Sequence, residues 1–215
     1  MELDVLKWIK FSSISCTHDN KGFFYSRFDA PKSLDAGNMA KAGQETDKLE
    51  NQKVYYHRVG TKQDDDTLVF WNEKQPDWMY DGEVTDDGRY LILSARKDTS
   101  ITNLIQLVDL QDGRNKSLDG LLEPTPLIED WVGGFHYIHN KGPLFYFQTN
   151  HNAPRSKIIE INIEKPQMEN WREVIPQSEK GVIQNSLCSN GKIVALYLEN
   201  ASDKIRIFDF DSRHL

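Results

Sequence analysis

Apolar positions along this chain come in short runs, and turn residues separate the runs at a recurring interval. The stretch from Asp86 to Arg96 shows the pattern best. Asp87-Gly88 is a tight-turn signal, because glycine tolerates the positive φ that hairpin turns require. Tyr90-Leu91-Ile92-Leu93 follows, an uninterrupted apolar run of the kind buried on both faces. The run ends on one charged side chain, Arg96.

The same order recurs around Gly22, Gly142 and Gly191. Each glycine precedes an apolar run: Phe23-Phe24-Tyr25, Leu144-Phe145-Tyr146-Phe147 and Ile193 to Leu198. Each run leads through a polar loop into an alternating strand. These are Lys53 to Val59, Leu104 to Leu110, Lys157 to Ile163 and Lys204 to Phe210. Alternation with period two predicts a strand with one face more buried than the other. In the first three units a further short strand follows: Thr67 to Trp71, Thr125 to Ile128 and Trp171 to Ile175. The stretch ahead of each glycine supplies one more: Phe11 to Thr17, Gly82 to Thr85, Phe135 to Ile138 and Ile183 to Leu187.

Four strands per unit of roughly fifty residues is the signature of a β-propeller blade. The expected fold is all-β: a partial β-propeller of about four four-stranded antiparallel blades, the last incomplete. A β-sandwich also has short strands at this density. It does not require a glycine at the same place in every unit. The expected division is residues 1–10 as the end of a preceding blade, 11–77, 78–130 and 131–181 as full blades, and 182–215 as an incomplete one. The first blade carries a long insertion at 29–52. That segment is rich in Ala, Lys, Gly, Asp and Ser and lacks apolar periodicity, so it reads as a mobile surface loop. A partial propeller leaves two blade faces bare, at roughly 1.5–3 kcal/mol of lost burial per large apolar side chain. The chain is therefore expected to be part of a longer polypeptide.

Composition narrows the function. The 215 residues include 11% aromatics, which favours strands over disorder, and the formal net charge is -7. Phosphate backbones select basic faces, so nucleic acid is not the expected partner. No apolar run reaches the ~20 residues of a membrane-spanning helix, and the first residues lack a signal-peptide pattern, so no membrane association is expected. Cys16 and Cys188 are too few for a disulfide framework; both read as reduced thiols of a cytoplasmic protein.

Catalytic signatures are missing. There is no Gly-x-Ser-x-Gly elbow, His-Glu-x-x-His, phosphate loop or dinucleotide fingerprint. No metal or cofactor is expected. His136 and His139 lie three apart, which on a regular strand puts them on opposite faces. His18 and His139 read as turn residues, Asp19, Asp86 and Asp87 as turn formers, and Asp64-Asp65-Asp66 as a solvated turn. Two readings stand for Arg96. Beside Met79, Trp78 and Tyr80 it suits a peptide carbonyl next to an apolar side chain. The plainer reading, ahead on composition alone, is an ion pair with a neighbouring acid at the rim.

A family resemblance bears on that choice. Lys10-Phe11-Ser12, Thr17-His18-Asp19-x-Lys21-Gly22-x-Phe24-Tyr25, Tyr55-Tyr56-His57-x-x-Gly60-Thr61, Trp78-Met79, Asp86-Asp87-Gly88-Arg89-Tyr90 and Ser94-x-Arg96 stand in the order seen in the prolyl oligopeptidases. The chain resembles the middle blades of that family's seven-bladed propeller over essentially its whole length. The resemblance implies cytosolic serine peptidases that cut short peptides after proline. In them a propeller caps an α/β-hydrolase domain and lends side chains to the cleft. It further implies that Phe11 lines the apolar substrate pocket, that Met79 joins it, and that Arg96 bonds a substrate carbonyl upstream of proline. Thr99 falls where some members have a cysteine. The catalytic serine, aspartate and histidine would lie in the hydrolase domain, outside these residues, leaving the chain inactive alone. The competing expectation is a free-standing truncated propeller acting as a protein-interaction module.

Overall fold

The computed structural model describes residues 5–31 and 48–211. The segment expected as a mobile loop, 29–52, lies mostly outside the described residues. Among the described residues all the extended structure is antiparallel and falls into four sheets. The first holds β1 (Ile14–Cys16), β2 (Gly22–Arg27), β3 (Lys53–Arg58) and β4 (Thr67–Phe70). The second holds β5 (Trp78–Val84), β6 (Tyr90–Lys97), β7 (Leu104–Asp109) and β8 (Thr125–Ile128). The third holds β9 (Phe135–Lys141), β10 (Leu144–Thr149), β11 (Lys157–Asn162) and β12 (Arg172–Ile175). The fourth has three strands, β13 (Val182–Ser189), β14 (Lys192–Glu199) and β15 (Ser202–Phe208). Within every sheet the spatial order of strands is their sequence order. This is the all-β partial propeller that the repeats predict.

The chain divides into two compact units. One comprises Met1–Val84, Gly88–Ser100 and Gln106–Pro126; the other comprises Thr85–Asp87, Ile101–Ile105 and Leu127–Leu215. In the first, Phe24, Val54, Tyr56, Tyr80, Leu91 and Leu93 are buried. Gly82 sits against Leu91, Val54 and Phe24, so the first sheet packs directly on β5. The Ser26 hydroxyl donates to the Tyr80 carbonyl at 2.6 Å, and the Val84 amide donates to Ser15 Oγ at 2.8 Å. In the second unit Ile138, Tyr146, Ile158 and Val174 pack with Ile183, Ile193, Tyr197 and Phe208. Tyr90 to Leu93 is buried throughout, as its unbroken apolar pattern predicts.

Several positions depart from the sequence reading. Gly22 is not the first turn's positive-φ residue; Asn20, at φ 56, takes that role. Gly22 instead allows close approach, since a Cβ there would lie 2.2 Å from the His57 carbonyl oxygen. His139 lies within β9, not in a turn, and its Nδ1 is 2.5 Å from Asp86 Oδ2. A bulge in β9 pairs His136 with Gln148 and His139 with Tyr146. Those partners are two apart, so the two histidines share a face instead of opposing each other. Nonetheless, no group of three or more His, Cys, Asp or Glu among the described residues is arranged to hold a metal ion.

Asp66 is the largest departure. Its side chain is fully buried. It lies 2.6 Å from His57 Nδ1 and accepts from the Tyr25 hydroxyl at 2.6 Å. Gln63 donates to that hydroxyl and exchanges two hydrogen bonds with the Lys7 backbone. A charge run that looks solvated thus ends in a dry carboxylate that ties residues near the start of the chain to the first sheet.

On the third sheet, Arg172 stands directly opposite Glu160 and grips it bidentately, at 3.0 and 2.6 Å. The guanidinium holds the Glu160 carboxyl below its ordinary 4.5, against the opposing effect of burial. A depressed folded-state pKa contributes stability above the unfolded value, and that contribution is lost as pH falls through the folded value. Glu160→Gln therefore flattens the acid limb of stability below about pH 4.5. At neutral pH it costs on the order of 1 kcal/mol, because Arg172 is half exposed. Urea unfolding at several pH values reads this directly; an unchanged acid slope would show that Glu160 does not contribute.

The fourth sheet has two unlike faces. Ile183, Ile193, Ala195, Tyr197 and Phe208 face the core. The register places Leu187, Val194 and Ile207 in one row, and Leu196 with Ile205 in the next. On this opposite face Leu187, Leu198, Ile205 and Ile207 are exposed, Ile205 by 70%. The bare apolar blade face expected from the sequence is present here.

Candidate substrate-binding site

The site grows from the pairing of β5 with β6. Met79 lies directly opposite Arg96, and Asp81 opposite Ser94. Directly opposed residues share a face, so Met79, Asp81, Ser94 and Arg96 stand together on one side of the sheet. Arg96 reaches diagonally to Asp81, 2.5 Å from its guanidinium nitrogen to Oδ2. The other Asp81 oxygen accepts from the amide and hydroxyl of Ser13, at 3.0 and 3.2 Å. One carboxylate thereby fixes both the arginine and the segment that carries Phe11.

The structure bears on the plainer reading of Arg96. The side chain pairs with an acid, as that reading requires. The pair is partly open to solvent, with 44% of the Arg96 side chain exposed, so it contributes at most about 1 kcal/mol to stability. Its main effect is orientation. A guanidinium has five N–H donors in a rigid fork, and Asp81 sets the direction of that fork beside the half-buried Met79.

Phe11 is 62% exposed and has φ 54. A bulky residue in the left-handed region is strained by about 1–3 kcal/mol and persists only where its surroundings hold it. The holder is Gln52, which is fully buried. Its amide nitrogen donates to the carbonyls of Lys10 and Phe11, at 3.0 and 3.3 Å. Its amide oxygen accepts from the Tyr80 backbone at 2.7 Å. One side chain therefore joins the backbone of Phe11 to the residue after Met79. Tyr80 itself is buried, and burial pushes its phenol up to about 12. Thr99 is exposed in the turn after β6.

The three residues marked in the sequence, Phe11, Met79 and Arg96, thus lie on segments bound to one another by side-chain hydrogen bonds. Asp81, Ser13 and Gln52 escape sequence reasoning. Asp81 has one legible signal: it stands two residues from Met79 along a strand and so shares its face. Ser13 and Gln52 act through partners 68 and 28 residues away and leave no local pattern. The arrangement offers an oriented cation, a soft apolar side chain and an exposed aromatic ring. It can bind a carbonyl beside an apolar group. No helix among the described residues is long and apolar enough to cross a membrane.

Comparison with known proteins gives a consistent result. Residues 2–215 match the family model described as prolyl oligopeptidase, N-terminal beta-propeller domain. Prolyl oligopeptidase A of Amanita bisporigera is 35% identical over 210 residues, 96% of this chain and 26% of that protein. A prolyl endopeptidase of Elizabethkingia miricola is 32% identical over 201 residues, 94% of this chain and 26% of that protein. Among solved structures, prolyl oligopeptidase B of Galerina marginata, bound to a 35mer hydrolysis and macrocyclization substrate, superposes with a TM-score of 0.83. The identity is 30%, over 97% of this chain and 27% of that one. The chain spans about a quarter of the length of these relatives. The match over nearly every residue, on a fold of repeated four-stranded sheets, places this chain in the prolyl oligopeptidase family, within its N-terminal β-propeller domain.

Proposed function

We propose that this chain is the substrate-gating propeller segment of a serine-type prolyl oligopeptidase that cleaves short peptides after proline. An α/β-hydrolase domain of the same polypeptide supplies the serine, aspartate and histidine. Arg96 binds a substrate carbonyl upstream of the proline, and Phe11 and Met79 flank the apolar side chain beside it. The carrying observation is the Arg96–Asp81–Ser13 set, which orients a half-exposed cation opposite Met79. The two free cysteines fit a cytoplasmic setting.

The test is Arg96→Ala in the polypeptide that joins this chain to its hydrolase domain. A charge-assisted hydrogen bond to substrate contributes about 1.5–3 kcal/mol, so kcat/KM for a proline peptide falls roughly 10- to 100-fold, mostly through KM. The melting temperature moves by no more than about 4 °C, since the ion pair contributes little to stability. Steady-state kinetics with unchanged KM would remove Arg96 from the cleft.

A second reading rests on the fourth sheet. The exposed face bearing Leu187, Leu198, Ile205 and Ile207 suits a protein-binding surface of a free-standing module. In that reading Arg96→Ala has no effect on peptide binding.

A further inference from the structure

The polar side chain that builds the site most directly is one no motif marks. Gln52 precedes β3 and has no exposed surface. A buried amide must satisfy both its donors and its acceptor, and here those bonds go to backbone on either side of the site. The donors hold the Lys10 and Phe11 carbonyls. The acceptor holds the Tyr80 amide, next to Met79. The adjoining residue repeats the theme: the Asn51 amide donates to the Pro76 carbonyl at 2.7 Å, just ahead of β5. The base of this segment is clamped as well, because Lys53 grips both Asp29 oxygens at 2.7 Å.

We propose that Gln52 is a positioning residue for the peptide site: it sets where the Phe11 ring stands relative to Met79. The proposal rests on the reading of this surface as a peptide cleft. Phe11 keeps a left-handed backbone only while its carbonyl is held, and Gln52 is the side chain that holds it. Without that bond Phe11 relaxes toward ordinary φ, and its exposed ring takes a different direction from the backbone. Arg96 is held separately, through Asp81, and keeps its place. Loss of Gln52 therefore weakens recognition of the apolar group upstream of proline and leaves carbonyl binding and chemistry alone.

The experiment uses the full polypeptide with its hydrolase domain and two coumarin amides. Benzyloxycarbonyl-Gly-Pro presents an aromatic group upstream; acetyl-Gly-Pro does not. Gln52→Glu keeps the acceptor for the Tyr80 amide but turns a carboxylate toward the two carbonyls; Gln52→Ala removes every bond. Both variants should raise KM about tenfold for the aromatic substrate and less than about twofold for the acetyl one, with kcat unchanged. In a Phe11→Ala background, Gln52→Glu should add nothing, because the effect runs through Phe11. A purely structural role would lower activity on both substrates in proportion. That result, or an undiminished effect in the Phe11→Ala background, overturns the proposal. If the unsubstituted polypeptide cleaves neither substrate, the peptidase reading fails and this proposal falls with it.

Discussion

Asp66→Ala lowers the unfolding free energy of this chain by about 2–5 kcal/mol, the cost of taking a shared acceptor from two buried polar groups, His57 and Tyr25. The magnitude follows from how dry the group is. The side chains of Asp66 and His57 are essentially without exposed surface and lie 2.6 Å apart. The second Asp66 oxygen takes the Tyr25 hydroxyl, and burial together with that carboxylate raises the phenol's pKa well above its ordinary value. Alanine leaves an imidazole and a phenol facing a gap. Asp66→Asn keeps an acceptor for one of them and should lose clearly less. Gln63 links the same phenol to Lys7, so the alanine variant should also lose hydrogen-exchange protection at the Lys7 amide. Urea unfolding measures the first effect and exchange the second. A loss below about 1 kcal/mol would mean that water replaces the carboxylate without cost.

The second large effect concerns catalysis. Residues 1–215 alone are expected to hydrolyse no prolyl peptide above background, whereas under the proposed function the same residues joined to a hydrolase domain are expected to turn over. Amide cleavage needs a nucleophile and a base held together. Without an activated nucleophile and its base no acyl-enzyme forms. Two histidines here sit against carboxylates, as a triad histidine does. His57 is buried with Asp66 inside the first sheet's network. His139, against Asp86, belongs to the other compact unit from Phe11, Met79 and Arg96. The decisive assay is turnover of a proline-containing substrate after repurification, with a serine-reactive inhibitor as control. Activity that survives both would place a nucleophile within this chain.

The fold was legible because its signals are local. A positive-φ residue, an apolar run and an alternating strand each depend on neighbours in sequence, and the four sheets fall where those signals recur. The failures share one physical cause. Gly22 has the sequence signature of a turn residue, but its need for glycine comes from the His57 carbonyl across the pairing with β3. The face of His139 depends on a bulge that sequence alternation cannot show. Asp66 looked solvated because its neighbours Asp64 and Asp65 are exposed, while its own environment comes from β2 and β3. The site divides the same way. Met79 and Arg96 mark themselves by type and by place beside a strand end, whereas Gln52 and Ser13 matter only through contacts made on folding.

Strand order within each sheet equals order along the chain. No sheet waits for a strand from another, and most closures are short; the long β2–β3 connection adds only slowly to the entropic cost, which grows with the logarithm of loop length. During synthesis at roughly 5–20 residues per second, a sheet has all its strands within seconds of its first leaving the ribosome. The propeller can therefore assemble blade by blade from its N-terminal side. The most recently made blade is then the exposed one, its apolar face available to chaperones until something covers it.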